Sequence, residues 1–114
     1  MKRLAQAAIF SAAISVAGAG HAQILDADST LRAKQAEQFE AMFNEPENLE
    51  LMFAYALTSI ELKDFEAAIS TLVRFLIFNP DLPRVRLELA ASYFRIGSYP
   101  GARHYFVDVF EDPN

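Results

Sequence analysis

Residues 49–82 read LELMFAYALTSIELKDFEAAISTLVRFLIFNPDL, and residues 83–114 read PRVRLELAASYFRIGSYPGARHYFVDVFEDPN. Written one above the other, at an offset of 34 residues, they agree in size class. Ala56 falls on Ala90 and Ala68 on Ala102; Phe65 falls on Tyr99, Leu72 on Phe106 and Phe75 on Val109. Ile60 falls on Phe94 and Leu62 on Ile96. A period of this length marks a repeat whose units bury their apolar faces on one another.

Each line divides into two helices. Met52, Tyr55, Ala56, Ser59 and Ile60 follow the three-and-four spacing of one helix face. Lys63-Asp64 interrupts the pattern, and Phe65, Ala68, Ile69, Leu72, Phe75 and Leu76 resume it. Asn79-Pro80-Asp81 stops that helix, because proline donates no hydrogen bond and disfavours helix in the residue before it. The second line repeats the plan with Leu87, Ala90, Ala91 and Phe94, then Gly97, then Tyr99, Ala102, Phe106 and Val109. Pro83 stands where a helix start tolerates a missing N–H. Gly97 suits the left-handed backbone of a helix stop; Ser98 and Tyr99 then form the turn, and Pro100 opens the next helix. Gly101 reads as a tolerated weak point in its first turn, His104 as half-exposed and Phe106 as core. Two antiparallel helices approach closely only where a side chain is small, so Ala56, Ala68, Ala90 and Ala102 are the expected contacts. Phe65 and Tyr99 are expected to fill the space beneath the turns.

This pattern resembles the tetratricopeptide repeat. Counted so that Pro80 is the closing proline, the small position eight holds Ala56 and Ala90, and position twenty holds Ala68 and Ala102. Position seven holds Tyr55 and Leu89, eleven Ser59 and Tyr93, and seventeen Phe65 and Tyr99. The family glycine at fifteen is Gly97 in the second unit but Lys63 in the first; position four, usually tryptophan or apolar, is Met52 and then Arg86, a departure. The resemblance implies an all-α fold, an α-solenoid of helix–turn–helix repeats over residues 49–82 and 83–114. The run FNPDLPRVRLEL (residues 78–89), followed by YFRIGSY (residues 93–99), is similar to the periplasmic repeat domain of bacterial surface-lipoprotein assembly modifiers. In that family the repeats precede an outer-membrane β-barrel. No barrel sequence is present here, so the resemblance reaches the repeats and not the transport activity.

The chain begins MKRLAQAAIFSAAISVAGAGHAQ. Lys2 and Arg3 precede a mostly apolar, uncharged run, and Gly20-His21-Ala22 supplies small residues at the positions a signal peptidase reads. Residues 1–22 therefore read as a secretory signal cleaved after Ala22, which sends the protein to the periplasm. A membrane anchor fits less well, since a span needs about 20 strongly apolar residues and Gln6, Ser11 and Ser15 dilute this run. Removing Lys2 and Arg3 leaves 8 basic against 15 acidic residues, which takes the formal charge from −5 to −7. Such a surface repels phosphate backbones, so nucleic acid is not an expected partner. With no cysteine in its 114 residues, the chain has neither a thiolate metal site nor a thiol nucleophile.

Residues 23–48 carry Leu31, Gln35, Phe39 and Met42 or Phe43 on one helical face, with Lys34, Glu37 and Glu40 off it. Ser29-Thr30 is placed to cap the start of that helix. The expectation is one amphipathic helix packed on the first repeat.

Sites for chemistry are scarce. Ser98 and His104 are six residues apart across a helix start, with no acid placed to orient the imidazole. Gly97 and Gly101 lack the longer glycine pattern and the lysine of a phosphate loop. Glu45, Glu47 and Glu50 cluster without a histidine. No catalysis, cofactor, metal or small-molecule substrate is expected.

What remains is binding of a protein or peptide segment. The resemblance implies that the first helix of each pair lines a concave face. Its ligand-facing residues are Glu50, Phe53, Leu57, Ile60 and Glu61, then Arg84, Leu87, Ala91, Phe94 and Arg95. Phe53 and Leu57 depart from the polar set that grips a carboxylate terminus, so the groove is expected to be apolar with charged edges, suited to an apolar or amphipathic segment. The sequence leaves open whether the helix around residues 31–43 covers Phe53, Leu57 and Ile60. Val107, Val109 and Phe110 have no following helix in the sequence to cover them. Either a partner or a second copy supplies the cover, or the sequence is a fragment of a longer protein, which is the expectation favoured here.

Overall fold

The computed structural model describes residues 15–111, with side chains from residue 26, and every element in it is a helix. In chain order these are α1 (Ser15–Asn44), α2 (Leu49–Glu61), α3 (Phe65–Phe78), α4 (Pro83–Arg95) and α5 (Tyr99–Glu111). Within the compact unit Leu31–Asn114, α2 packs on α3, α3 on α4 and α4 on α5. The described residues up to Thr30 belong to a separate unit. No helix among the described residues is long and apolar enough to cross a membrane.

Local chemistry accounts for the boundaries. Asn48 opens α2, its Oδ1 accepting from the N–H groups of Glu50 (3.1 Å) and Leu51 (3.3 Å), which the first helical turn leaves unpaired. Asp64 opens α3 in the same way, accepting from Ala67 N at 3.3 Å. Pro83 takes the first position of α4, where no N–H is needed.

The two interhelix turns are alike bond for bond. After α2, Lys63 N donates to Ile60 O (2.9 Å) and Asp64 N to Ser59 O (2.8 Å). After α4, Gly97 N donates to Phe94 O (3.0 Å) and Ser98 N to Tyr93 O (2.9 Å). This is the Schellman closure, which requires a left-handed residue just past the helix end. Lys63 has φ 61° and Gly97 φ 80°. Glycine adopts that region freely, whereas a side chain costs about 1–2 kcal/mol there. Replacing Lys63 by glycine is therefore expected to stabilise the fold by about 0.5–1 kcal/mol, net of the added unfolded-state entropy. Gly97→Ala is expected to cost about 1 kcal/mol, although a Cβ there meets no atom within 4 Å. Urea titration of the two variants, read by helical circular dichroism, checks both signs.

The core lies where the hairpins meet. Met52, Leu72 and Leu89 are fully buried, with Met42, Tyr55, Phe75 and Val85 around them. The four alanines of the sequence pattern are all buried. The buried hydroxyls of Ser59, Thr71 and Ser92 donate to backbone carbonyls within their own helices, which satisfies them without breaking the apolar interior.

Several expectations are corrected. The leading helix does not start at Ser29-Thr30: α1 runs unbroken from Ser15, and the Thr30 hydroxyl donates to Asp26 O at 2.8 Å instead of capping. Residues 1–14 of the expected signal lie outside the described residues, and Gly20-His21-Ala22 lies within α1. Of the two candidates on its inner face, Met42 is buried and Phe43 is 77 % exposed. Tyr99 does not fill the space under its turn but is 61 % exposed, leaning on Phe94 with ring centroids 5.4 Å apart. Its counterpart Phe65 is half-buried because Arg95 of α4 lies over its ring. Phe106 is half-buried rather than core. The buried face of α4 is Val85, Leu89, Ala90 and Ser92, which leaves Leu87, Ala91 and Phe94 exposed. Helix α5 starts at Tyr99, one residue before Pro100. Gly101 is a close contact and not merely a tolerated residue: a Cβ there would lie 2.9–3.0 Å from the Tyr93 ring.

Candidate functional site: an apolar groove along α2 to α4

The groove follows from how α2 and α4 pack on α3. Phe53 and Leu57, one turn apart on α2, stand half-buried beside Phe75 of α3, with the Phe53 and Phe75 rings tilted 59° and 6.2 Å apart. Leu82 and Val85, where the chain enters α4, close the other wall. The space between is about 480 Å³ and almost wholly apolar, edged by Glu50 on α2 and Arg84 on α4. Arg84 lies over the Phe53 ring with its guanidinium carbon 5.2 Å from the centroid, a cation–π contact that holds the charge at the rim.

A second, smaller depression of about 370 Å³ joins Ala91, Phe94 and Arg95 of α4 to Phe106 of α5. The eight expected binding residues thus fall in three groups. Phe53, Leu57 and Arg84 share the first groove; Ala91, Phe94 and Arg95 share the second. Ile60 is half-buried and Leu87 is 43 % exposed, and neither lines a groove. Leu49, Leu82 and Val85 were not expected from the sequence. Val85 shows no period with Leu87 and Phe94, and Leu82 sits in the turn between two prolines, where periodicity carries no signal.

The leading helix packs elsewhere. Phe39 meets Tyr55 at 5.7 Å between ring centroids, Met42 enters the core, and Gln35 Nε2 donates to Ser59 Oγ (3.0 Å) and Asp64 Oδ2 (3.1 Å). No α1 residue lines the groove, so among the described residues the face with Phe53 and Leu57 is open on that side.

Elsewhere, a depression of about 590 Å³ along α5 is lined by Tyr99, Pro100, Arg103, His104, Val107 and Asp108. His104 Nε2 lies 3.9 Å from Asp108 Oδ2, and its ring stands at 81° to that of Tyr105. Glu45 and Glu47 flank a shallow dip with Pro46 and Asn48, and no group of metal-binding side chains is present among the described residues. Two phenols are perturbed. Burial raises Tyr55 above its usual value of 10.0, with Asp64 adding to the rise and the Ser59 hydrogen bond opposing it. Burial also raises Tyr105, helped by Tyr93 and Asp108. A fold that raises an acid's pKa favours the neutral form. The corresponding stability is complete below pH 10 and declines as pH rises through the folded-state values. Unfolding free energy is therefore expected to fall above pH 10, and more gently in Tyr55→Phe and Tyr105→Phe, as measured by urea titration at stepped pH.

The chain matches no protein-family model and no curated protein.

Proposed function

We propose that this is a tetratricopeptide-like, non-enzymatic interaction module that holds a protein or peptide segment along its α2–α4 face in the periplasm. The observation that carries the reading is the apolar groove of Phe53, Leu57, Phe75, Leu82 and Val85, with Arg84 and Glu50 at its edges. Such a strip, open beside the first helix of each pair, suits an amphipathic or extended apolar segment. Support for the repeat comes from the offset of 34 residues, at which the turn bonds, the left-handed residues and the buried alanines all recur. The periplasmic location rests on the leader in residues 1–22.

A second reading is favoured by residues 78–89, whose likeness to the assembly modifiers supports a soluble domain that works beside an outer-membrane β-barrel. The two readings share the binding face and differ in what it serves. DNA following Asn114 that encodes alternating strands of about ten residues supports the second.

The test is capture from a periplasmic extract on immobilised chain. Phe53→Glu and Leu87→Glu each place a charge on the face, the first beside the core residue Phe75 and the second at an exposed position, and are expected to reduce the captured partner at least tenfold. Unchanged capture by both variants, with normal helix content, removes this face as the site.

A further inference from the structure

The rim of the groove carries mixed charge. Glu50 stands on the α2 side and Arg84 on the α4 side, with apolar walls between them. Among the described residues neither forms an ion pair, the pairs there being Arg86–Asp81 and His104–Asp108, each at 3.9 Å, and Arg84 rests on the Phe53 ring. Glu50 and Arg84 are both exposed, so their charges are free to meet other groups. A ligand of one sign would be drawn to one side of this rim and repelled by the other. A surface with one charge of each sign across an apolar strip is complementary to itself when turned about a two-fold axis.

The same face holds protruding apolar side chains. Leu82, at the groove wall, is 38 % exposed. Phe53, half-buried on the α2 side, adds its ring to the same apolar strip. A two-fold contact brings each projection opposite the partner's recess, and both apolar surfaces leave water together. Charge at the rim then fixes the register.

We propose that this groove is a self-association face. A second copy of the chain docks across it about a two-fold axis, with Arg84 of each copy against the partner's Glu50, and with Phe53 and Leu82 packed between. This inference rests on the reading of the α2–α4 face as an interaction surface, and names its occupant at the Phe53–Arg84 end.

Sedimentation equilibrium on the purified chain, with Glu50→Arg and Arg84→Glu, tests it. The unsubstituted chain is expected to show a mass of two chains at micromolar concentration. Each variant alone turns two attractive pairs into two repulsive ones and is expected to raise the dissociation constant about 10- to 100-fold. An equimolar mixture of the two variants sets two arginines against two glutamates and is expected to recover the two-chain mass. Circular dichroism on each variant establishes that both remain helical. A single-chain mass for the unsubstituted chain overturns the proposal, as do variants that associate undiminished or a mixture that stays dissociated. Loss of capture in Leu87→Glu, which lies outside the groove, reads the binding function separately. A failure of self-association therefore leaves that function standing.

Discussion

Leu89→Ala is expected to destabilise the protein by about 2–5 kcal/mol and to lower its melting temperature by about 10–30 °C. Leu89 is fully buried on α4 and belongs to the core with Met52, Leu72 and Phe75. Truncating it forfeits the transfer free energy of its side chain and leaves a cavity, since these neighbours sit on separate helices that cannot all collapse onto it. Domains of this size have about 5–15 kcal/mol in total, so a loss at the upper end approaches the whole margin. Ile77→Ala is the control. Ile77 is 75 % exposed on α3, and its truncation is expected to change stability by less than about 0.5 kcal/mol. Thermal and urea unfolding, followed by circular dichroism, measure both. Similar losses in the two variants would mean that the helices do not pack as described.

Gly101→Ala is expected to cost about 2 kcal/mol despite the better helix propensity of alanine. The added methyl lies 2.9 Å from Tyr93 Cδ1 and 3.0 Å from Cγ, the fixed root of the ring rather than its movable end. Tyr93 is also held by stacking on Tyr105, with ring planes 6° apart and centroids at 5.7 Å. In the first hairpin the equivalent pair is Ser59 with Ala67: the small polar residue there leaves room for the methyl, while the large ring of Tyr93 excludes it. Tyr93→Ser loses packing of its own. In that background, however, Gly101→Ala is expected to be neutral or stabilising, a coupling of about 2 kcal/mol between the two sites. A full penalty in the double variant would show that the ring is not what the glycine accommodates.

These two positions show what the sequence made legible. Period and residue size were enough to place four of the helices, because Ala56, Ala68, Ala90 and Ala102 had to lie where helices touch, and all four are buried. The exchange between Ser59–Ala67 and Tyr93–Gly101 was invisible, since each residue is unremarkable alone and only the contact relates them. Lys63 was read as a departure from the glycine pattern; the turn hydrogen bonds hold it in the left-handed region all the same. Tyr99 and Phe65 share a register position but not an environment, for Arg95 covers Phe65 and no described residue after α5 covers Tyr99. At the candidate site, the α2 contribution of Phe53 and Leu57 was legible only through the resemblance, as positions that face a ligand in the repeat family. The far wall, Leu82 and Val85, depended on the path of the α3–α4 connection, and that path carries no periodicity.

Site-specific photo-crosslinking in the protein's own cells tests the binding face most directly. A photoreactive amino acid is placed in turn at Leu57, at Leu87 and at Ser70, the last an exposed residue of α3 outside both grooves. Binding along the α2–α4 face predicts covalent adducts from positions 57 and 87 and none from position 70. Adducts from position 70 alone, or of equal yield from all three, would contradict it.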